Sequence, residues 1–106
     1  MMKNLRAPSN NGMKAMTPYR TTVEFNEHTI PSALLRQHET KAGTWGIIRV
    51  MEGELDLIFF DPPREIKLTP TCPGKIAPQE GHCVRLFGPV RMKIEFYDCD
   101  PSDNVA

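Results

Sequence analysis

A chain of 106 residues has room for about one modest domain with one core, which excludes a catalytic domain joined to a regulatory one. Thirteen Lys plus Arg balance thirteen Asp plus Glu, so no global field draws nucleic acid or an anionic membrane, and neither is expected as a partner. No apolar run approaches the roughly 20 residues that span a bilayer, and residues 1–17 lack the apolar centre of a signal peptide, which gives a cytoplasmic reading.

In chain order, residues 1–17 are rich in Asn, Lys, Ser, Pro and Gly with no apolar period, and are read as a flexible lead-in. A single β-domain is expected over 18–98, built from short β-rich runs at 19–25, 33–38, 44–51, 54–60, 65–68, 75–76, 82–87 and 90–97. Prolines and glycines fall mostly between these runs, as in Asp61-Pro62-Pro63, Thr69-Pro70, Pro73-Gly74 and Gly88-Pro89, where they end strands. Helix content is expected to be small. Residues 99–106 form a short acidic tail. Cys72, Cys83 and Cys99 are an odd set without CxxC spacing, which argues against a disulfide framework or a zinc knuckle and for reduced thiols.

Two tight hairpins are expected. Glu52-Gly53 separates two β runs, and glycine there would supply a positive φ. Gly88-Pro89 separates 82–87 from 90–97. If those two residues form the loop, Phe87 faces Val90 and counting back pairs His82 with Glu95, setting an imidazole beside a carboxylate. That register is sensitive, because a slip of one residue turns every side chain to the other face.

Histidines sit at two turn-and-strand signatures. His38 opens His38-Glu39-Thr40-Lys41-Ala42-Gly43-Thr44-Trp45-Gly46, and His82 closes Pro78-Gln79-Glu80-Gly81-His82. Together with Val50-x-Glu52-Gly53-x-Leu55 and Gly88-Pro89-Val90-Arg91-Met92-x-Ile94-Glu95-Phe96-Tyr97, these strings resemble the small cupin-like domain of the TehB and YeaR type, associated with tellurite resistance and stress response. The resemblance implies an all-β cupin-like double-stranded β-helix, a jelly-roll barrel. It also implies a homodimer with a metal-binding pocket at one end. Aligned on the broader cupin pattern, the second histidine of the first motif falls on Thr40, its glutamate falls near Gly46, and the usual asparagine of the second motif is Leu86. Two of four customary ligands are therefore absent, and Glu95 is the candidate replacement carboxylate.

His38, His82 and Glu95 are thus the candidate metal set, suited to a divalent ion such as zinc, iron, manganese or nickel with positions open to water or substrate. The alternative is a pair of hydrogen-bonded, unmetallated histidines near turns. Trp45, between glycines, and Thr40 are candidate pocket residues. Arg36, Arg49, Arg85 and Arg91 alternate in β runs, where an inward guanidinium would bind an oxyanion, although most are expected on the solvated face. His28 reads as a surface residue, and Cys83 should face away from His82. The expected function is binding or sensing of a small anion or metalloid through a mononuclear metal. A small dioxygenase or isomerase-type enzyme and a metal-free dimerisation module are the alternatives.

Overall fold

The computed structural model describes residues 17–101. In chain order these form β1 (Arg20–Thr21), β2 (Phe25–Asn26), a 3-10 turn (Ser32–Leu35), β3 (Trp45–Phe60), β4 (Pro63–Leu68), β5 (Gly74–Ile76) and β6 (His82–Tyr97). The structure is all-β and antiparallel. The lead-in read over 1–17, except Thr17, and the tail beyond Pro101 lie outside the described residues.

Two 16-residue strands organise everything else. β3 and β6 pair from Trp45↔Tyr97 to Phe59↔His82; β4 pairs the last part of β3, β5 pairs its first part, and β1 and β2 pair the last part of β6. The ladders do not close, since neither β4 nor β5 pairs with β1 or β2, so the barrel expected from the resemblance is here an open, curled sheet.

Both expected hairpins are replaced by continuous strands with irregularities. Met51 is an extra residue between the pairs Val50↔Met92 and Glu52↔Arg91. Because side chains alternate with a period of two, this bulge changes the inward positions of β3 from Ile48 and Val50 to Leu55, Leu57 and Phe59. Gly53 has φ +80°, as a turn residue would, but it sits inside β3. A Cβ there would lie 2.3 Å from the Pro89 carbonyl oxygen, so only glycine permits the close approach of β6. Phe87, Gly88 and Pro89 are accommodated opposite Glu54 by a shift in register, not by a reversal of the chain. The expected pairing of His82 with Glu95 is therefore wrong: His82 opposes Phe59, and Glu95 opposes Ile47.

The inward positions build one core of Ile48, Val50, Leu55, Leu57, Phe59, Leu68, Ile76, Val84, Val90, Met92 and Ile94. Leu57 and Leu55 are fully inaccessible, and truncating such a leucine to alanine costs about 2–5 kcal/mol. The run at 33–38, expected as a strand, is instead the 3-10 turn followed by a single bridge at His38. Curling of the sheet brings the start of β6 and its end to one cavity, whose walls include His82, Ile94 and Phe96.

Candidate functional site

The site begins with a backbone bridge. His38 N–H donates to the His82 carbonyl and His82 N–H to the His38 carbonyl, each at 2.9 Å. Two residues exchanging both bonds across an antiparallel pair present their side chains on one face. The imidazole centroids accordingly stand 4.1 Å apart, tilted by 58°. His82 is also the cross-strand partner of Phe59, whose ring lies 6.3 Å away, so an aromatic wall backs the pair.

Each ring is oriented by its own loop. Nδ1–H of His38 donates to the Arg36 carbonyl at 2.9 Å, and Nδ1–H of His82 donates to the Glu80 carbonyl at 2.7 Å. A carbonyl oxygen only accepts, so Nδ1 is the protonated nitrogen in both rings, and each neutral imidazole keeps a lone pair on Nε2. Backbone carbonyls fix metal-ligating histidines in this tautomer. His82 is only 2% exposed. Burial holds its pKa below the ordinary histidine value, and a charged His38 would push it the same way, while the Glu80 carbonyl partly opposes them.

Both histidines line a cavity of ≈ 360 Å³, at the small end of the roughly 300–1,000 Å³ range of ligand pockets. Its floor is apolar: Ile48 from β3, Ile76 from β5 and Ile94 from β6, with Leu34 and Phe96 beside them. Gly46 belongs to the same wall, and a Cβ there would meet only Ile76 and Ile94, at 3.9 and 4.0 Å. The mouth carries Arg20, Glu39 and Lys41. Arg20 lies over the Phe96 ring at 5.5 Å, where their register pairing puts it.

Thr40 lines the cavity, as expected, and also secures its loop. Its hydroxyl donates to the Thr44 carbonyl at 2.8 Å, and its own carbonyl accepts from Gln79 N–H at 3.0 Å. That link ties the 38–46 segment to the turn preceding His82.

Glu95 and Trp45 stand elsewhere. Glu95 belongs to the odd-numbered, outward face of β6, where Oε1 accepts from Arg49 Nε and from the Tyr97 hydroxyl, both at 2.9 Å. Its carboxylate is thereby occupied and does not join the histidines; among the described residues no group of three or more His, Cys, Asp or Glu converges as a metal set. Trp45 opposes Tyr97 in register and lies under the Lys75 ammonium, 5.4 Å from its ring centre, outside the cavity wall.

Of the arginines singled out in the sequence, Arg36 is exposed and the other three are engaged elsewhere, Arg49 with Glu95. Arg85 pairs with Asp56 and Glu65, and Arg91 pairs with Glu24 and Glu52. His28 is exposed and 3.4 Å from the Glu27 carboxylate. Cys83 lines a shallow outer depression with Leu35 and Ile58, and no disulfide joins Cys72, Cys83 and Cys99. The cations at the cavity, Arg20 and Lys41, were not identified from sequence. Lys41 lies inside the most distinctive string, and Arg20 is recognisable only once β1 is known to pair the end of β6.

An open antiparallel β-domain with two ring-oriented histidines in a ligand-sized cavity is therefore the class of protein defined by fold and site. The TehB-like domain model matches residues 20–94, and the chain belongs to that family. The structure is similar to the crystal structure of TehB from Haemophilus influenzae, with 26% identity and a TM-score of 0.69 over 82% of this chain and 32% of that one. It thus spans less than half of that protein's length. A protein from E. coli strain K12 shares the fold at 19% identity and a TM-score of 0.69, over 76% of this chain and 87% of that one. No curated protein sequence matches the chain. Among the described residues, no helix is long and apolar enough to cross a membrane.

Proposed function

We propose that the protein is a small-ligand-binding module, and that His38 and His82 are the protein's contribution to a divalent first-row metal within its cavity. The observation carrying this reading is the same hydrogen bonding in both rings, with Nδ1–H held by a backbone carbonyl and the Nε2 lone pair left free for a metal. Two imidazole nitrogens fit part of a zinc, iron, manganese or nickel coordination set, and water or a bound small molecule would complete it. A metal held there would supply Lewis acidity, while the chain's own residues shape the cavity and exclude water from its apolar floor.

Kinship with the TehB-like family supports a role related to tellurite resistance, and a small anion or metalloid is the species we propose it senses. The same kinship supports a cupin-type homodimer, and cysteines without disulfides agree with a cytoplasmic setting. A small metal-dependent enzyme is the second reading, favoured by the coordination positions that two histidines leave open.

Equilibrium dialysis against zinc tests the proposal. Wild-type protein should bind close to one equivalent, while folded His38→Gln and His82→Gln variants should not; equal binding by all three would refute the site. Affinity should also fall with pH, since protons compete with metal for Nε2. Dioxygen consumption by iron-loaded protein would favour the enzymatic reading.

A further inference from the structure

The cavity has a chemical polarity that a metal alone does not use. Its lining presents the two imidazoles and, at the mouth, the cations Arg20 and Lys41 against the single carboxylate of Glu39. No ion pair joins Arg20, Glu39 or Lys41 to another described residue, whereas Arg49, Arg64, Arg85 and Arg91 are each committed to a carboxylate. The charged lining residues Arg20, Glu39 and Lys41 are exposed, whereas Ile48, Ile76 and Ile94 are buried and form an apolar floor on which Gly46 adds no side chain.

We propose that the cavity binds a small monocarboxylic acid with an apolar body, its carboxylate held by Lys41 and Arg20 at the mouth and its body on the isoleucine floor over Gly46. This deepens the ligand-binding reading of the same cavity and does not require the metal. A bare inorganic oxyanion would leave the isoleucine floor unfilled, forgoing the burial of apolar surface that favours a hydrocarbon body. A dianionic head carries a greater desolvation cost into so apolar a space than a monoanion does. A planar carboxylate accepts from several donors at once, and its charge complements the excess of cations at the mouth. At ≈ 360 Å³ the cavity suits a body of one ring or a short branched chain.

Benzoate and its neutral isostere benzamide are the probes, titrated into chelator-treated protein and separately into zinc-loaded protein, with isoleucine methyl resonances as the readout. Benzoate should shift the methyls of Ile48, Ile76 and Ile94 saturably and bind about tenfold more tightly than benzamide, with Lys41→Gln removing much of that preference. Gly46→Ala places a methyl on the floor in ordinary contact with Ile76 and Ile94, and should weaken benzoate binding about fivefold. Gly46→Val should weaken it further, and the alanine variant keeps the test decisive if the valine variant does not fold.

The proposal is overturned if benzoate leaves these methyls unmoved in both forms of the protein, if benzamide binds equally well, or if Gly46→Ala has no effect. Benzoate binding without zinc binding would remove the metal reading and keep this one. Zinc binding without any benzoate response would do the reverse.

Discussion

The cavity and the outer face of the same sheet contain similar chemical groups arranged to opposite ends. On the outer face, Arg49, Glu95 and Tyr97 satisfy one another: a guanidinium and a phenol share one carboxylate oxygen, at 2.9 Å each. In the cavity, His38 and His82 each spend one nitrogen on a backbone carbonyl and keep the other as a donor atom. A closed side-chain network contributes to stability, because each buried polar group has its partner. A pair with unspent lone pairs is ready for a ligand instead. The contrast teaches that charge and conspicuous spacing in sequence do not identify a site; the disposition of the remaining hydrogen-bonding capacity does.

The largest expected effect comes from breaking the cavity side. His38→Gln or His82→Gln should lower zinc affinity by about 100-fold or more, equivalent to ~2.7 kcal/mol, in calorimetric titration. His38→Gln should leave the denaturation midpoint close to wild type, because that ring is only half-buried. Glu95→Gln should give the converse. It removes the charged acceptor of two hydrogen bonds, and urea unfolding should report a loss of about 1–3 kcal/mol with zinc and benzoate binding intact. A Glu95 variant that lost zinc would place the carboxylate in the metal site and collapse the comparison.

Tyr97 sharpens it at high pH. Burial, then the hydrogen bond to Glu95, raises the phenol's pKa above its ordinary value of 10.0, with Arg49 opposing. A raised folded-state value means that this stabilisation is full below the unfolded pKa and is lost as pH rises from there through the folded value. Wild-type stability should therefore decline above pH 10, and Tyr97→Phe, at a cost of about 1 kcal/mol at neutral pH, should flatten that part of the decline. The smallest expected effect concerns Trp45. Its fluorescence should change little when zinc or benzoate binds, because the ring lies on the outer face with Lys75 over it.

The sequence made some of this arrangement legible and concealed the rest for identifiable reasons. His38 and His82 stood out because one opens and the other closes a turn-and-strand signature, and a backbone bridge joins the two. All-β character was readable from the short β-branched runs between prolines and glycines. Gly53 was correctly seen to need a positive φ, but a positive φ serves a bulge as well as a hairpin, and local pattern does not separate them. The same ambiguity at Gly88-Pro89 led to the pairing of His82 with Glu95. Glu95 lies on the odd-numbered face of β6 and His82 on the even-numbered one, so a continuous strand separates them where a hairpin would have joined them. Arg20 and the isoleucine floor were hidden because they meet the histidines only when the sheet curls, a property of long-range packing.

The most direct test of the central claim is a long-range nitrogen–proton correlation spectrum of the histidine rings, recorded on metal-free protein and again with one equivalent of zinc. The account predicts that His38 and His82 are both protonated at Nδ1 when neutral, and that zinc shifts both Nε2 resonances together while His28 stays unmoved. Protonation of either ring at Nε2 when neutral, or a zinc response confined to one of the two, would contradict it.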